Sequence, residues 1–251
     1  MKDDLGTRMK EQYENRTRYM LPRRTYTIIR LDGKAFHTFT RGMKRPYDED
    51  LMEVMDETTK YLCENIQGCQ MAYTQSDEIS LLLTDFDKIT TDAWFDGNLQ
   101  KMASVSASIT TAKFNNLMHR RHLVDMDKLA FFDARVFTIP DSIEVENYFI
   151  WRQKDAVRNS IAMTAQSLYS HKELNGKSSS EQQEMIFQKG QNWNDMPEGF
   201  KRGRTLDYGC IKEDWDAEPG NILEVGWKLI TPDFLKDRET LRDMIPKIIN
   251  E

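Results

Sequence analysis

Apolar and polar positions alternate or cluster in ways that divide the first part of the chain into strands and helices. Short apolar, β-branched runs bounded by turn residues predict a strand at 26–32, a hairpin within 71–84 and a strand at 134–139. Apolar residues at helical spacing predict helices over 49–64 and 98–118. The resulting order, β-α-β-β-α-β, is typical of an antiparallel sheet with helices on one face, so we expect an α+β fold.

The ends of the chain follow other patterns. Residues 1–24 are polar and basic and predict an arm that becomes helical and ends near Leu21. Asp141 is suited to cap one long helix that continues to about Ser170, and a shorter helix is expected over 181–188. Short strands are expected near 205–211 and 223–230, followed by a terminal helix over 232–250. Residues 1–140 and 141–251 are expected to form one compact unit.

Acidic residues stand at two of the predicted turns. Asp32 ends the first strand next to Gly33, which permits a tight turn and close approach to a ligand, and Asp77 lies at the hairpin tip. If the strands are neighbours, the two carboxylates converge and can hold a pair of divalent ions for phosphoryl or nucleotidyl transfer. Two ordinary solvated turns are the alternative. Glu78 is either a supporting acid or points outward, because adjacent strand residues face opposite ways.

Composition places the chain among soluble globular proteins, with 251 residues of which 39% are hydrophobic and 30% charged. No apolar run approaches the length of a membrane span, so no membrane partner is expected. The three cysteines have no CxxC spacing and are odd in number, which favours a reducing compartment and a cytoplasmic location.

Charge is distributed unevenly along the chain. The net charge is −6, but residues 1–45 carry +7 and the remainder carries −13. A basic field beside an acidic, metal-type site suits a polyanionic ligand such as RNA, and a solvated basic surface is the alternative.

Four segments together resemble the tRNA-His guanylyltransferase superfamily of 3′–5′ nucleotide-adding enzymes. They read RLDGKAFHTF, AYTQSDEISLLL, FDARVFTIP and ENYFIWRQKD and fall in order over about 26–160, with a weaker echo, FKRGRTL, at 200–206. The resemblance implies a palm-like catalytic core in residues 1–140, which include the basic arm. It also implies an RNA-binding or assembly region in residues 141–251.

The resemblance extends to the site residues. It implies two Mg²⁺ ions held by the Gly33 carbonyl and by Asp32 and Asp77, the catalytic pair, with ATP, GTP and other nucleoside triphosphates as substrates. Amides of the turn after the first strand would cradle the triphosphate. The implied nucleotide-binding residues are Gly33, Lys34, Ala35, Phe36, His37, Lys44, Arg45, Asp48, Ser76 and Lys101. Candidate RNA contacts are Arg23, Arg24, Arg152 and Asn159, although Arg152 and its neighbour Trp151 fit a helix-packing role equally well.

One departure from the superfamily bears on specificity. Relatives that add a guanylate to tRNA-His carry His-Ile-Asn-Asn where this chain reads Val157-Arg158-Asn159-Ser160. We therefore expect templated 3′–5′ repair of truncated tRNA through 5′ adenylylation or a 5′-triphosphate, by a homotetramer as the resemblance implies. The first alternative is a guanylyltransferase specific for tRNA-His. A nucleotide cyclase or cyclic-dinucleotide synthase on the same palm and a silent RNA-binding module are further alternatives.

Overall fold

Six strands form one sheet in the described residues, 4–213 and 222–248, of the computed structural model. The strands are β1 (Tyr26–Gly33), β2 (Cys69–Gln75), β3 (Glu78–Leu83), β4 (Phe132–Ile139), β5 (Arg204–Glu213) and β6 (Ile222–Ile230). Their order across the sheet is β4-β1-β3-β2-β5-β6, and every neighbouring pair is antiparallel. The predicted antiparallel sheet is confirmed, and strands from the C-terminal part extend it.

Nine α-helices surround this sheet in the described part of the chain. They are α1 (Leu5–Gln12), α2 (Phe36–Phe39), α3 (Glu49–Asn65), α4 (Leu99–Arg120), α5 (Ser142–Leu168), α6 (His171–Leu174), α7 (Ser179–Gln188), α8 (Glu198–Arg202) and α9 (Arg238–Met244). The two long predicted helices are α3 and α4, and the third is α5, whose first turn is capped by the Asp141 carboxylate. The predicted β-α-β-β-α-β order is therefore confirmed as β1-α3-β2-β3-α4-β4.

Alternate residues of β1 enter two different cores. Ile29 and Leu31 pack with the helices α3 and α4, while Tyr26 and Ile28 pack on the opposite face with α5 and α9. All four side chains are at most 1% exposed, as the period of two along a strand requires when both faces are covered. Helices α3 and α4 thus lie on one face as predicted, and the long helix covers the other. Along β1, β2 and β3 there is no open face of the kind on which RNA bases stack in sheet-based RNA-binding modules.

Both ends of the chain differ from expectation. The arm is α-helical only in α1, which buries none of its side chains; a short 3-10 helix follows at Glu14–Thr17, and Met20 then pairs with Asn98 in an isolated bridge. The terminal helix predicted over 232–250 is wrong in extent, because α9 stops before Pro246. Residue 245 precedes that proline, and such a position disfavours the helical conformation. Residues 249 and 250 lie outside the described residues.

None of the described helices is long and apolar enough to cross a membrane.

Candidate active site

The turn after β1 is shaped by backbone hydrogen bonds to its neighbours. Gly33 N donates to Asp77 O at 3.2 Å, and Lys34 N donates to Phe131 O at 2.8 Å. Ala35 follows with φ 53°, in the left-handed region, and α2 begins after it. Because two amides of the turn are already bonded, the predicted triphosphate cradle narrows to the amides of residues 35–37, which have no partner within the short helix.

The hairpin tip brings the second carboxylate to the same end of the sheet. Asp32 lies opposite Glu78 in the pairing of β1 with β3, and Asp77 stands one residue before Glu78. Burial raises the pKa of the Asp77 carboxyl, and the nearby charge of Asp32 raises it further, while a hydrogen bond from Ser76 opposes the shift. The structure thus brings together the two carboxylates that the sequence singled out.

Two carboxylates held this way offer the oxygen ligands that Mg²⁺ prefers. The Asp32 charge makes the ionised form of Asp77 more costly, and a divalent cation relieves that repulsion, so the residues fit the implied metal. Across residues 4–213 and 222–248, no group of three or more His, Cys, Asp or Glu side chains is arranged to hold a metal ion. Further ligands would therefore have to be backbone carbonyls, water or phosphate oxygens.

A cavity of about 480 Å³ opens beside this turn. Its walls come from the turn after β1, the loop before α3, the hairpin tip and α5. Lys34 does not line it, but most other predicted nucleotide-binding residues do, together with the metal-site residue Asp77: Gly33, Ala35, Phe36, His37, Lys44, Arg45, Asp48 and Ser76. Both Lys44 and Arg45 are exposed, which places two cations at its wall. The volume lies in the range of small-molecule sites.

Asp48 has a local task in this wall. Its carboxylate accepts from Leu51 N at 3.1 Å, which caps α3, and from Lys44 N at 3.1 Å, which closes the loop. The predicted approach of Asp48 to an incoming base stays a prediction. The position lines the cavity, but both carboxylate oxygens are already used.

The structure separates Lys101 from the other predicted residues. Lys101 lies in the first turn of α4, with its ammonium group 5.7 Å from the ring centre of Phe95. The C-terminal half of α4 adjoins the acidic end of the sheet, where Thr111 Oγ1 accepts from Phe132 N. The first turn therefore lies near the opposite end, and Lys101 does not line the cavity, so its predicted phosphate contact is corrected.

The predicted RNA contact of Arg152 is also corrected, because its side chain is only 3% exposed. Its Nε and Nη2 donate to the two oxygens of Glu78 at 2.7 and 2.8 Å. Glu78 does not point outward: it is 5% exposed, and burial raises its pKa while Arg152 and Arg30 oppose the shift. The helix-packing alternative for Arg152 thus describes the structure.

Arg23 and Arg24 remain exposed but are tied to an acidic loop. Arg23 Nε donates to Asp85 Oδ2 at 2.5 Å, and Arg24 N donates to the other oxygen of that carboxylate at 2.8 Å. Arg24 also donates from its guanidinium to Ile89 O at 2.7 Å. Their predicted contacts with RNA stay predictions, and these bonds give both residues a role in holding the loop.

Helix α5 supplies a wall that the sequence reasoning missed. Met163 and Gln166 line the 480 Å³ cavity, and Asn159 lines a side cavity of about 60 Å³ that shares Ser76 and Met163 with it. These positions recur at i, i+4 and i+7, so they form one stripe of the helix. That spacing was visible in the sequence, but the pattern alone does not say what the stripe faces.

Known proteins are similar to this chain in sequence and in fold. A family profile described as tRNAHis guanylyltransferase (Thg1) matches residues 6–140. The tRNA(His) guanylyltransferase of Debaryomyces hansenii is 31% identical over 226 residues and covers 82% of each chain. A bacterial tRNA(His) guanylyltransferase (Thg1)-like protein, solved in complex with ATP, is 46% identical with a TM-score of 0.84, over 96% of this chain and 98% of its own. The Saccharomyces cerevisiae tRNA(His) guanylyltransferase structure has a TM-score of 0.68 at 26% identity, over 79% of this chain and 91% of its own.

The palm-type sheet and these relatives define the class of protein, which is a nucleotidyltransferase. Because the profile spans more than half of its residues, the chain belongs to the tRNAHis guanylyltransferase (Thg1) family.

Proposed function

We propose that this nucleotidyltransferase adds nucleotides in the 3′–5′ direction to the 5′ end of truncated tRNA, copying the opposing strand. One observation carries the proposal: Asp77, which the charge of Asp32 reaches, lines a cavity that also presents Lys44 and Arg45. Paired carboxylates beside cations suit a triphosphate with divalent ions. The 46% identity to a bacterial Thg1-like protein solved with ATP, and 43% to one solved with GTP, supports nucleoside triphosphates as substrates.

The chain's own residues would bind and orient the reactants. Asp32, Asp77 and the Gly33 carbonyl would hold two Mg²⁺ ions, and the amides of residues 35–37 would receive phosphate oxygens. When bound, Mg²⁺ supplies Lewis acidity that lowers the pKa of an attacking hydroxyl and neutralises triphosphate charge. The cations of Lys44 and Arg45 would hold the polyphosphate, with the Ser76 hydroxyl nearby.

The reaction has two stages when the RNA begins with a 5′-monophosphate. An oxygen of that phosphate attacks the α-phosphorus of ATP and displaces pyrophosphate. The 3′-hydroxyl of the incoming nucleotide then attacks the 5′-phosphorus of the RNA, loses its proton and displaces AMP. A 5′-triphosphate needs no activation, and pyrophosphate leaves in the second stage.

The segment at 157–160 favours general repair over restriction to tRNA-His. Ser160 is buried, accepts a hydrogen bond from Trp193 Nε1 at 3.1 Å and lies 3.2 Å from Lys201 O, to which it donates. Val157 packs against a small hydrophobic cluster that includes Trp193 and Ile186. Two of the four positions thus hold the C-terminal region in place, so they are not free to read RNA.

The proposal includes a location and an assembly. Residues 1–140 would supply catalysis and 141–251 would position RNA in a cytoplasmic homotetramer. Two exposed apolar side chains, Leu5 on α1 at 61% and Tyr13 directly after it at 64%, support contacts between copies.

An assay of nucleotide addition to the 5′ end of a truncated tRNA tests the proposal. A tRNA that lacks its first nucleotide, with a labelled 5′-monophosphate, is incubated with protein, Mg²⁺, ATP and all four nucleoside triphosphates. We expect extension that follows the opposing acceptor-stem base in tRNA-His and in a second tRNA, and no extension with Asp77→Asn.

Other products would overturn it. A single guanylate added to tRNA-His alone would establish the specific guanylyltransferase. Nucleotide consumed only without RNA would establish a cyclase. A folded Asp77→Asn protein that still extends tRNA would remove the metal assignment.

A further inference from the structure

A buried carboxylate that the proposed mechanism does not use lies directly behind the two site carboxylates. Glu78 is 5% exposed, follows Asp77 in the chain and pairs in register with Asp32 across β1 and β3. Side chains at paired positions of antiparallel strands lie on the same face. The Glu78 and Asp32 side chains are therefore neighbours, and their like charges must be balanced for both to stay in place.

Two arginines supply that balance. Arg152 of α5 makes a bidentate contact with Glu78, at 2.7 Å from Nε and 2.8 Å from Nη2, and Nη2 also donates to Asp155 at 2.8 Å. Arg30 Nε lies 3.1 Å from Glu78 Oε2 without an aligned hydrogen bond, so its contribution is electrostatic. Only Arg152 fixes the orientation of the carboxylate, because a guanidinium fork and a carboxylate constrain each other's plane.

Arg152 is itself held rigidly. It is 3% exposed, and its guanidinium carbon lies 4.3 Å from the ring centre of Trp151. Asp155 accepts from it one helical turn further along α5 and is also paired with Arg158. A side chain fixed on several sides transmits the position of its helix to the group that it binds.

We propose that Arg152 is a positioning residue, which acts through Glu78 to set the geometry and charge of the cation-holding pair Asp32 and Asp77. The inference rests on the proposed function, since it assigns the support of that same site. Helix α5 thereby braces the hairpin tip from behind while its later turns form a wall of the cavity. Without Arg152, the buried carboxylate would keep only the charge of Arg30, lose its fixed orientation, and repel the two site carboxylates more strongly.

A matched pair on the same helix separates positioning from ordinary stabilisation. Glu146 near the start of α5 is 4% exposed and binds Arg242 of α9 at 2.7 Å from Nε and 3.3 Å from Nη2. This contact joins the same two groups around an equally buried carboxylate, although Arg242 itself is 60% exposed, and it does not adjoin the acidic turn. Arg242→Gln therefore reports what the loss of such a pair does to stability alone.

The experiment compares Arg152→Gln, Arg152→Lys and Arg242→Gln in the full chain. Binding of Mn²⁺ is measured by electron paramagnetic resonance with a non-hydrolysable GTP analogue, beside melting temperature and tRNA extension. We expect Arg152→Gln to weaken Mn²⁺ binding and lower kcat by about tenfold or more, as loss of a ligand-supporting partner does. KM for the nucleotide should change less. Arg152→Lys should recover part of both losses because it keeps the charge, and Arg242→Gln should lower only the melting temperature.

Three results would overturn the proposed positioning role of Arg152. One is unchanged Mn²⁺ affinity and kcat in folded Arg152→Gln. Another is an equal loss of Mn²⁺ binding in Arg242→Gln. The third is Glu78→Gln abolishing Mn²⁺ binding while Arg152→Gln leaves it unchanged, since Glu78 would then be a direct ligand. Because Mn²⁺ binding needs no RNA, failure of the brace and failure of tRNA repair are separate results.

Discussion

Gly33 has no Cβ atom, and the acidic turn packs tightly because that space is free for a neighbouring ring. A Cβ on Gly33 would lie 2.2 Å from Phe36 Cδ2 and 2.8 Å from Phe36 Cγ. The ring cannot move aside easily, because its centre lies 5.2 to 5.5 Å from those of Phe39, Phe114 and Phe132. The sequence suggested that Gly33 serves a tight turn and close ligand approach. The structure corrects the reason, since the left-handed residue is Ala35 and the space beside Gly33 is filled by an aromatic ring.

Gly33→Ala should therefore damage both packing and nucleotide binding. We expect the free energy of unfolding to fall by about 1–3 kcal/mol, the usual cost of overpacking. Nucleotide affinity should fall with it, because Phe36 lines the cavity that the turn forms. Denaturant unfolding and equilibrium titration with GTP measure the two effects. Gly6→Ala is the control, since its Cβ would meet only Asp4 Oδ1 at 3.4 Å; equal stability of both variants would refute the account.

At the scale of elements, the period of apolar residues predicted the helices and strands whose limits depend on local sequence. The alternation around Ile28 and the spacing of apolar residues in α3, α4 and α5 gave those elements nearly to their ends. The sequence did not reveal how a helix is oriented along the sheet or which distant residues contact each other. Lys101 needed the orientation of α4 along the sheet, and the Arg152–Glu78 contact joins residues 74 positions apart. The shortened α9 was within reach, because Pro246 marks its end.

The capping box at the start of helix α7 is a local sequence signal that can be tested. Its first turn is a capping box in which Ser178 N and Oγ both donate to the Glu181 carboxylate at 2.8 Å, and Ser178 Oγ accepts from Glu181 N. These bonds lower the pKa of Glu181 to about 2. Because the folded value lies below the ordinary one, the cap stabilises the helix above the ordinary pKa. That stabilisation is lost as pH falls through about 2.

Ser178→Ala should move the pKa of Glu181 back toward its ordinary value, as followed by carbon NMR of the side-chain carboxyl. Glu173 is an internal control, because Ser170 lowers its pKa through an equivalent capping box before α6. An unchanged Glu181 pKa in the variant would show that the cap is not its cause. A simultaneous shift of Glu173 would point instead to general unfolding.

At the scale of the molecule, the basic field of residues 1–45 is only partly free. Arg23 and Arg24 are exposed but donate hydrogen bonds to Asp85 and Ile89 of one loop. In the part of the chain that the structure describes, the exposed side chains of Arg16, Arg18 and Arg41 have no carboxylate partner. A polyanion would meet the second group first. Sequence alone gave the charge of this segment, but not which cations already have a carboxylate or carbonyl partner.

Replacing Arg16 and Arg18 together by Gln should reduce tRNA affinity and its salt dependence. Each phosphate contact removed should lower the slope of log K against log salt by about 0.7–0.9. Filter binding between low and moderate salt measures the slope, and Lys236→Gln, an exposed cation outside the segment, is the control. A parallel line with unchanged slope would exclude the arm from the RNA contact.

The double covering of the sheet has a consequence for what the enzyme can sense. With α3 and α4 on one side and α5 and α9 on the other, the central strands present only their tips. The covered faces of β1, β2 and β3 offer a passing polynucleotide no platform on which successive bases could stack. Under the proposed function, a free RNA terminus would enter beside the tips of β1 and β3. The architecture would then select ends over interior sequence, and discrimination among RNAs would fall to the strand that lies opposite the vacant position.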